Sequence, residues 1–198
     1  MRHLRTTVFP MVCVFALILV GCASGDRDTP KATVLTMVAA LRRGDKETFL
    51  ECFVAGDTGE TAERIAAVAD AAVASRKLRE RYHERFGETI WNAVAGMEIE
   101  PAWSHLKVDR MTFRIDGDSA TATMPAGDDT MRLVRSDGTW KITDDGLPAG
   151  DDMQQTVDEL RRLTRALERA CERIAGPTVR KEDVPGIVNF ALQQAAQE

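Results

Sequence analysis

At 198 residues the chain has room for one domain, or one domain with an appendage. Its 31 acidic against 26 basic residues give a net charge of −5, and no block of Lys and Arg interrupts that balance, so nucleic acid is not an expected partner. There is no HExxH, CxxC, clustered His, GxSxG or phosphate-cradling glycine loop, so no metal, cofactor or motif-borne catalytic chemistry is expected.

Arg2 and Arg5 precede an uncharged, almost wholly apolar run over residues 8–20. A charged start, a short apolar middle and small residues after it form the pattern of a signal peptide, and the run is shorter than the ~20 residues of a spanning helix. Leu19-Val20-Gly21-Cys22 resembles the lipobox of bacterial lipoproteins. That resemblance implies a diacylglyceryl group on the Cys22 thiol, cleavage just before it, and a mature chain held by two or three acyl chains, where one alone binds only marginally. It also implies a bacterial cell-envelope location, lipid-anchored and facing the periplasm; Ala23, rather than Asp, after the cysteine favours the outer membrane. An ordinary secretory leader and an uncleaved anchor are the alternatives. Without Arg2 and Arg5 the chain is two charges more acidic still, which suits a soluble domain held off an anionic membrane surface. Cys13 leaves with the leader, and Cys52 and Cys171 remain. In an oxidising envelope they invite one disulfide, worth ~4–5 kcal/mol on the chain-entropy model for so long a loop. The alternative is two separately buried thiols acting as small hydrophobes.

Past the leader (residues 1–21), residues 22–29, CASGDRDT, read as a short flexible tether. Thr29-Pro30 then starts a helix, a capping hydroxyl followed by proline at the first position. Val34, Met37, Val38 and Leu41 give it one apolar face, Gly44 ends it, and Asp45 caps a second helix carrying Phe49, Cys52 and Phe53. Asp57 and Glu60 suggest a capping box for a long helix reaching Gly87. Its first half is rich in Ala. Its second half sets Arg76, Lys77, Arg79, Arg81 and Arg85 around Leu78, Tyr82 and Phe86, and that basic run is expected to be a solvated face. A shorter helical piece, ETIWNAVAGM, follows. After Pro101 the period changes to alternation: DRMTFRI, SATATM, TMRLVR and TWKIT predict four strands of an antiparallel meander, with Asp116-Gly117, residues 125–129 and Asp137-Gly138 as turns. Asp152 and Gln155 open another helix, in which Met153, Val157, Leu160, Thr164, Leu167, Cys171 and Ile174 form a heptad-like seam. A last amphipathic helix is expected over roughly 185–196.

The two helices joined by RRGDKETF, followed by IDGDSATATM and LVRSDGTWKI in the meander, resemble the nuclear-transport-factor-2-like superfamily, the cone fold shared with ketosteroid isomerases and polyketide-cyclase-like proteins. The expected fold class is therefore α+β. Residues 30–147 would pack N-terminal helices on a curved antiparallel sheet of about four strands, and residues 148–198 would add a helical extension. Such a fold implies a cavity between helices and sheet, filled here by Trp91, Trp103, Met111 and Phe113 or left open to a ligand. His105 and Asp109 are the one pair in that part of the chain that could act as an acid–base couple; the plainer expectation is a surface His and a strand-edge Asp. The acidic pairs Asp128-Asp129, Asp144-Asp145 and Asp151-Asp152 fit turns and a helix start better than a calcium site. Two functions follow as expectations. One is a membrane-anchored, non-catalytic binding or scaffolding module. The other is a small-molecule enzyme of isomerase or hydrolase type, using a carboxylate or His105 in the cone. The 153–174 helix would pack within the chain, contact another envelope protein, or pair with a second copy.

Overall fold

The computed structural model describes residues 27–54, 59–87, 103, 105–124, 130–143 and 153–197. The leader and Cys22, Asp57, Trp91, the predicted 88–97 helix, the 125–129 turn and the three acidic pairs lie outside the described residues.

Helix α1 (Pro30–Arg43) begins as its sequence predicts: the Ala32 amide donates to Thr29 Oγ1 at 3.1 Å, with Pro30 at the first position. It ends on Gly44, whose φ of 60° is the left-handed conformation that closes a helix. An alanine Cβ at that site would lie 2.8 Å from Arg76 Cβ, so Gly44 also permits close contact with the long helix. Asp45 caps α2 (Lys46–Glu51) by accepting from the Thr48 amide at 3.1 Å. Helix α3 (Glu60–Phe86) starts on Gly59 with no side-chain cap, in place of the capping box expected from Asp57 and Glu60.

The meander forms as predicted. Strands β1 (Thr112–Asp116), β2 (Ser119–Thr123), β3 (Thr130–Ser136) and β4 (Thr139–Ile142) lie in sequence order, each antiparallel to the next. At the β3–β4 turn, Asp137 and Gly138 both have positive φ, 50° and 78°, as the mirror-image turns of tight hairpins require. The register aligns Phe113, Ala122 and Met131, and beside them Ala120, Leu133 and Ile142, on the face toward the helices. Ile115 belongs to the second row, but on the outermost strand it remains 56% exposed. The outer edge of β4 is covered by chain: Trp140 donates to the Arg27 carbonyl, Ile142 donates to the Cys52 carbonyl, and Val54 donates to the Ile142 carbonyl. The sheet is not strongly curled.

Behind the sheet two packing clusters share α3. The first joins α1, α2, the sheet and Ile65, Val68, Ala69 and Ala72 of α3. The second joins Ala74, Leu78 and Tyr82 of α3 to α4 (Met153–Ile174) and α5 (Val184–Ala195). As expected, the basic run of α3 forms a solvated face, with Arg76, Lys77 and Arg81 exposed, while Leu78 and Tyr82 on the other side are fully buried. The two C-terminal helices pack on the second half of α3, and the three form one helical unit. The heptad-like seam faces into that unit from Leu167 onward, and the side chain of Met153 lies outside the described residues. Val157, Leu167 and Ile174 are fully buried, and Leu160 reaches the first cluster. Thr164 donates to the Leu160 carbonyl of its own helix at 2.9 Å.

Candidate functional site

Leu106 donates to the Trp103 carbonyl, and a single 3₁₀ turn over Val108–Arg110 brings the chain into β1. The side chain of Val108 anchors this approach in the first cluster. One side of α1 lies opposite. Between them runs an open groove of about 600 Å³, lined by Leu35, Val38 and Ala39 from the helix and by Leu106 and Val108 from the turn. Around this apolar floor stand Arg42 and Arg43 at the C-terminal end of α1, and Lys107 and Arg110 across from them, all exposed. Asp109 is the carboxylate lining the groove, and it forms an ion pair with Lys31 at 3.1 Å. The pair links the groove to the first turn of α1. Arg43 also lies 4.0 Å from Asp45, so with the partners Lys31 and Asp45 included the groove has five cations against two carboxylates and is electropositive on balance, in a chain whose net charge is −5.

The sequence-derived site residues are distributed otherwise. His105 and Asp109 are both exposed, and the Asp109 carboxylate is directed to Lys31. The geometry therefore does not give them the enclosed setting in which an acid–base couple is tuned. Met111 is buried, and Trp103 and Phe113 are half-buried against the first cluster, so they fill core. Cys52 and Cys171 are free thiols in different settings. Cys52 is fully buried in the first cluster, donates to the Thr48 carbonyl at 3.3 Å, and has its thiol pushed up to about 11 by burial. Cys171 is half-buried against the second cluster, 94 residues along the chain from Lys77, whose carbonyl its sulfur faces at 3.9 Å. Each cysteine packs where its own helix places it, Cys52 in the first cluster and Cys171 against the second.

Arg64 is a second feature that pattern alone did not single out. It is buried on α3 with its guanidinium 5.9 Å from the centre of the Trp103 ring, and desolvation lowers its pKa. Trp103 itself holds a φ of 76°, unusual for so bulky a residue. The groove cations were also missed. Arg42-Arg43 and Lys107…Arg110 look like ordinary solvated charges in sequence, and nothing in their spacing shows that α1 and residues 106–110 lie side by side. Among the described residues, no three metal-ligating side chains cluster. Comparison with protein-family models, curated proteins and solved structures finds no match.

Proposed function

We propose that the protein is an envelope lipoprotein, anchored through Cys22, whose folded body is a non-catalytic binding module working at the periplasmic face of a membrane, with the outer membrane favoured. The lipobox-like LVGC supports the anchor. The observation that carries the binding function is the groove beside α1: an apolar floor with a cationic rim recognises an anionic, partly apolar partner without any group placed for bond-breaking. Residues 30–147 are, in this proposal, a weakly curled relative of the cone fold. Support for this comes from the order of two helices joined at Gly44-Asp45, a long helix and a β-meander. The three-helix unit braces that module through α3.

The test is mass spectrometry of the native protein together with flotation of cell membranes. A thioether-linked diacylglyceryl group at Cys22, loss of residues 1–21 and flotation with membranes are expected. An unmodified Cys22 thiol or an intact leader overturns the proposal.

A further inference from the structure

The tether enters at the N-terminal end of α1 and the groove runs from Leu35 toward the C-terminal end of the same helix, and together they suggest what the groove meets. Trp140 donates to the Arg27 carbonyl at 3.0 Å, and Arg27 Nη1 donates to the Glu51 carbonyl at 2.6 Å. The folded body is therefore gripped from residue 27 onward. Five backbone steps separate residues 22 and 27; whatever their conformation, they span at most about 18 Å. A lipid on Cys22 thus keeps the Arg27 end of the body close to headgroup level. From there α1 leads directly into the groove: Lys31, Leu35, Ala39 and Arg42 succeed one another at helical spacing, and Lys31 is ion-paired to Asp109 of the groove. Leu35, on the groove floor, is 43% exposed, one of four large apolar side chains that stand out among the described residues.

We propose that this groove is the surface through which the body rests on the bilayer, with Arg42, Arg43, Lys107 and Arg110 on anionic phospholipid headgroups and Leu35 at the acyl boundary. The inference rests on the lipid anchor proposed above and refines the sequence expectation of a body held off the membrane. Net charge describes the chain as a whole; attraction within a Debye length depends on which face is turned to the surface. The short tether favours membrane over an acidic protein as the occupant, because an anchored chain holds α1, and the groove that runs along it, within reach of the bilayer.

The experiment uses the full-length, lipidated protein in phosphatidylcholine vesicles with and without phosphatidylglycerol, containing lipids brominated on the chains. An environment-sensitive fluorophore is attached at Leu35→Cys, or at Glu172→Cys on the far end of α4 as a control, in a Cys171→Ser background; buried Cys52 does not react. The label at residue 35 is expected to be quenched by the brominated chains when phosphatidylglycerol is present, and the label at residue 172 is not. The exposed double variant K107E/R110E is expected to lower the ratio of groove-down to other orientations about 30-fold or more, at about 1 kcal/mol per basic residue lost from an anionic surface. Unchanged circular dichroism would show that the variant is folded. Equal quenching at both positions, or an unquenched residue 35 on protein that floats with the vesicles, overturns this inference and leaves the anchor standing; the second result returns the groove to an acidic protein partner. An unlipidated Cys22 overturns both.

Discussion

The two clusters that share α3 are built on different principles. Where α3 meets the sheet layer, large side chains fill the space: Met37, Phe49, Met131, Leu133, Trp140 and Ile142. Phe49 and Phe53 meet edge-on with ring centres 5.0 Å apart. Where α3 meets α4 and α5, alanine dominates: five of the eleven buried residues there are Ala, against five of twenty in the first cluster. A sheet and its helices stand about 10 Å apart and need long side chains to close the gap, whereas helices come closer when small residues line the contact. One 27-residue helix serves both regions, with Ile65, Val68, Ala69 and Ala72 in the first and Ala74 opening the second. Leu78 and Tyr82 then fill the centre of the three-helix unit.

That contrast can be broken from either side. The largest expected effect is a cavity in the first cluster. Leu133→Ala should cost about 2–5 kcal/mol, read as a lower urea midpoint with unchanged slope. In the same region, the buried Cys52 thiol gives a pH dependence. Its folded pKa, about 11, lies above the ordinary 9.0, so the native state holds its proton longer than the unfolded state does. Stability is fully present below pH 9 and falls as pH rises toward 11, by about 2 kcal/mol at the upper end. Urea titrations of Cys52→Ala should show that extra alkaline slope removed.

The second cluster should respond to overpacking more than to truncation. Ala170→Leu is expected to cost about 1–3 kcal/mol, and hydrogen exchange should speed up in α4 and α5 ahead of the sheet. If exchange speeds up equally everywhere, the two clusters unfold as one unit. At the junction of the two clusters on α3, Gly44→Ala would place a Cβ 3.0 Å from the Ala72 carbonyl in a left-handed conformation. A loss of about 1–2 kcal/mol in chemical denaturation is expected. The smallest effect should come from the exposed ion pair that ties α4 to α3, Arg161 to Glu63 at 3.0 Å. Arg161→Ala should cost less than about 1 kcal/mol, and that cost should vanish at high salt.

The sequence by itself determined the local elements. Thr29-Pro30 and Gly44-Asp45 bound the first two helices because caps act through hydrogen bonds within a few residues of chain. Alternation in SATATM, TMRLVR and TWKIT determined which side chains enter the core, because strand period follows from backbone geometry. Only the tertiary structure decided which surfaces meet. Leu167 and Ile174 of α4 meet α3 and α5, and Cys52 and Cys171 pack in separate clusters. Lys31 and Asp109 lie far apart in sequence and form an ion pair. The groove is the clearest case. Arg42 and Arg110 lie far apart in sequence, and no short-range pattern records that α1 and the approach to β1 run side by side. Capping and periodicity are properties of adjacent residues, whereas an electropositive cleft is a sum over charges that only packing brings within a Debye length of one another.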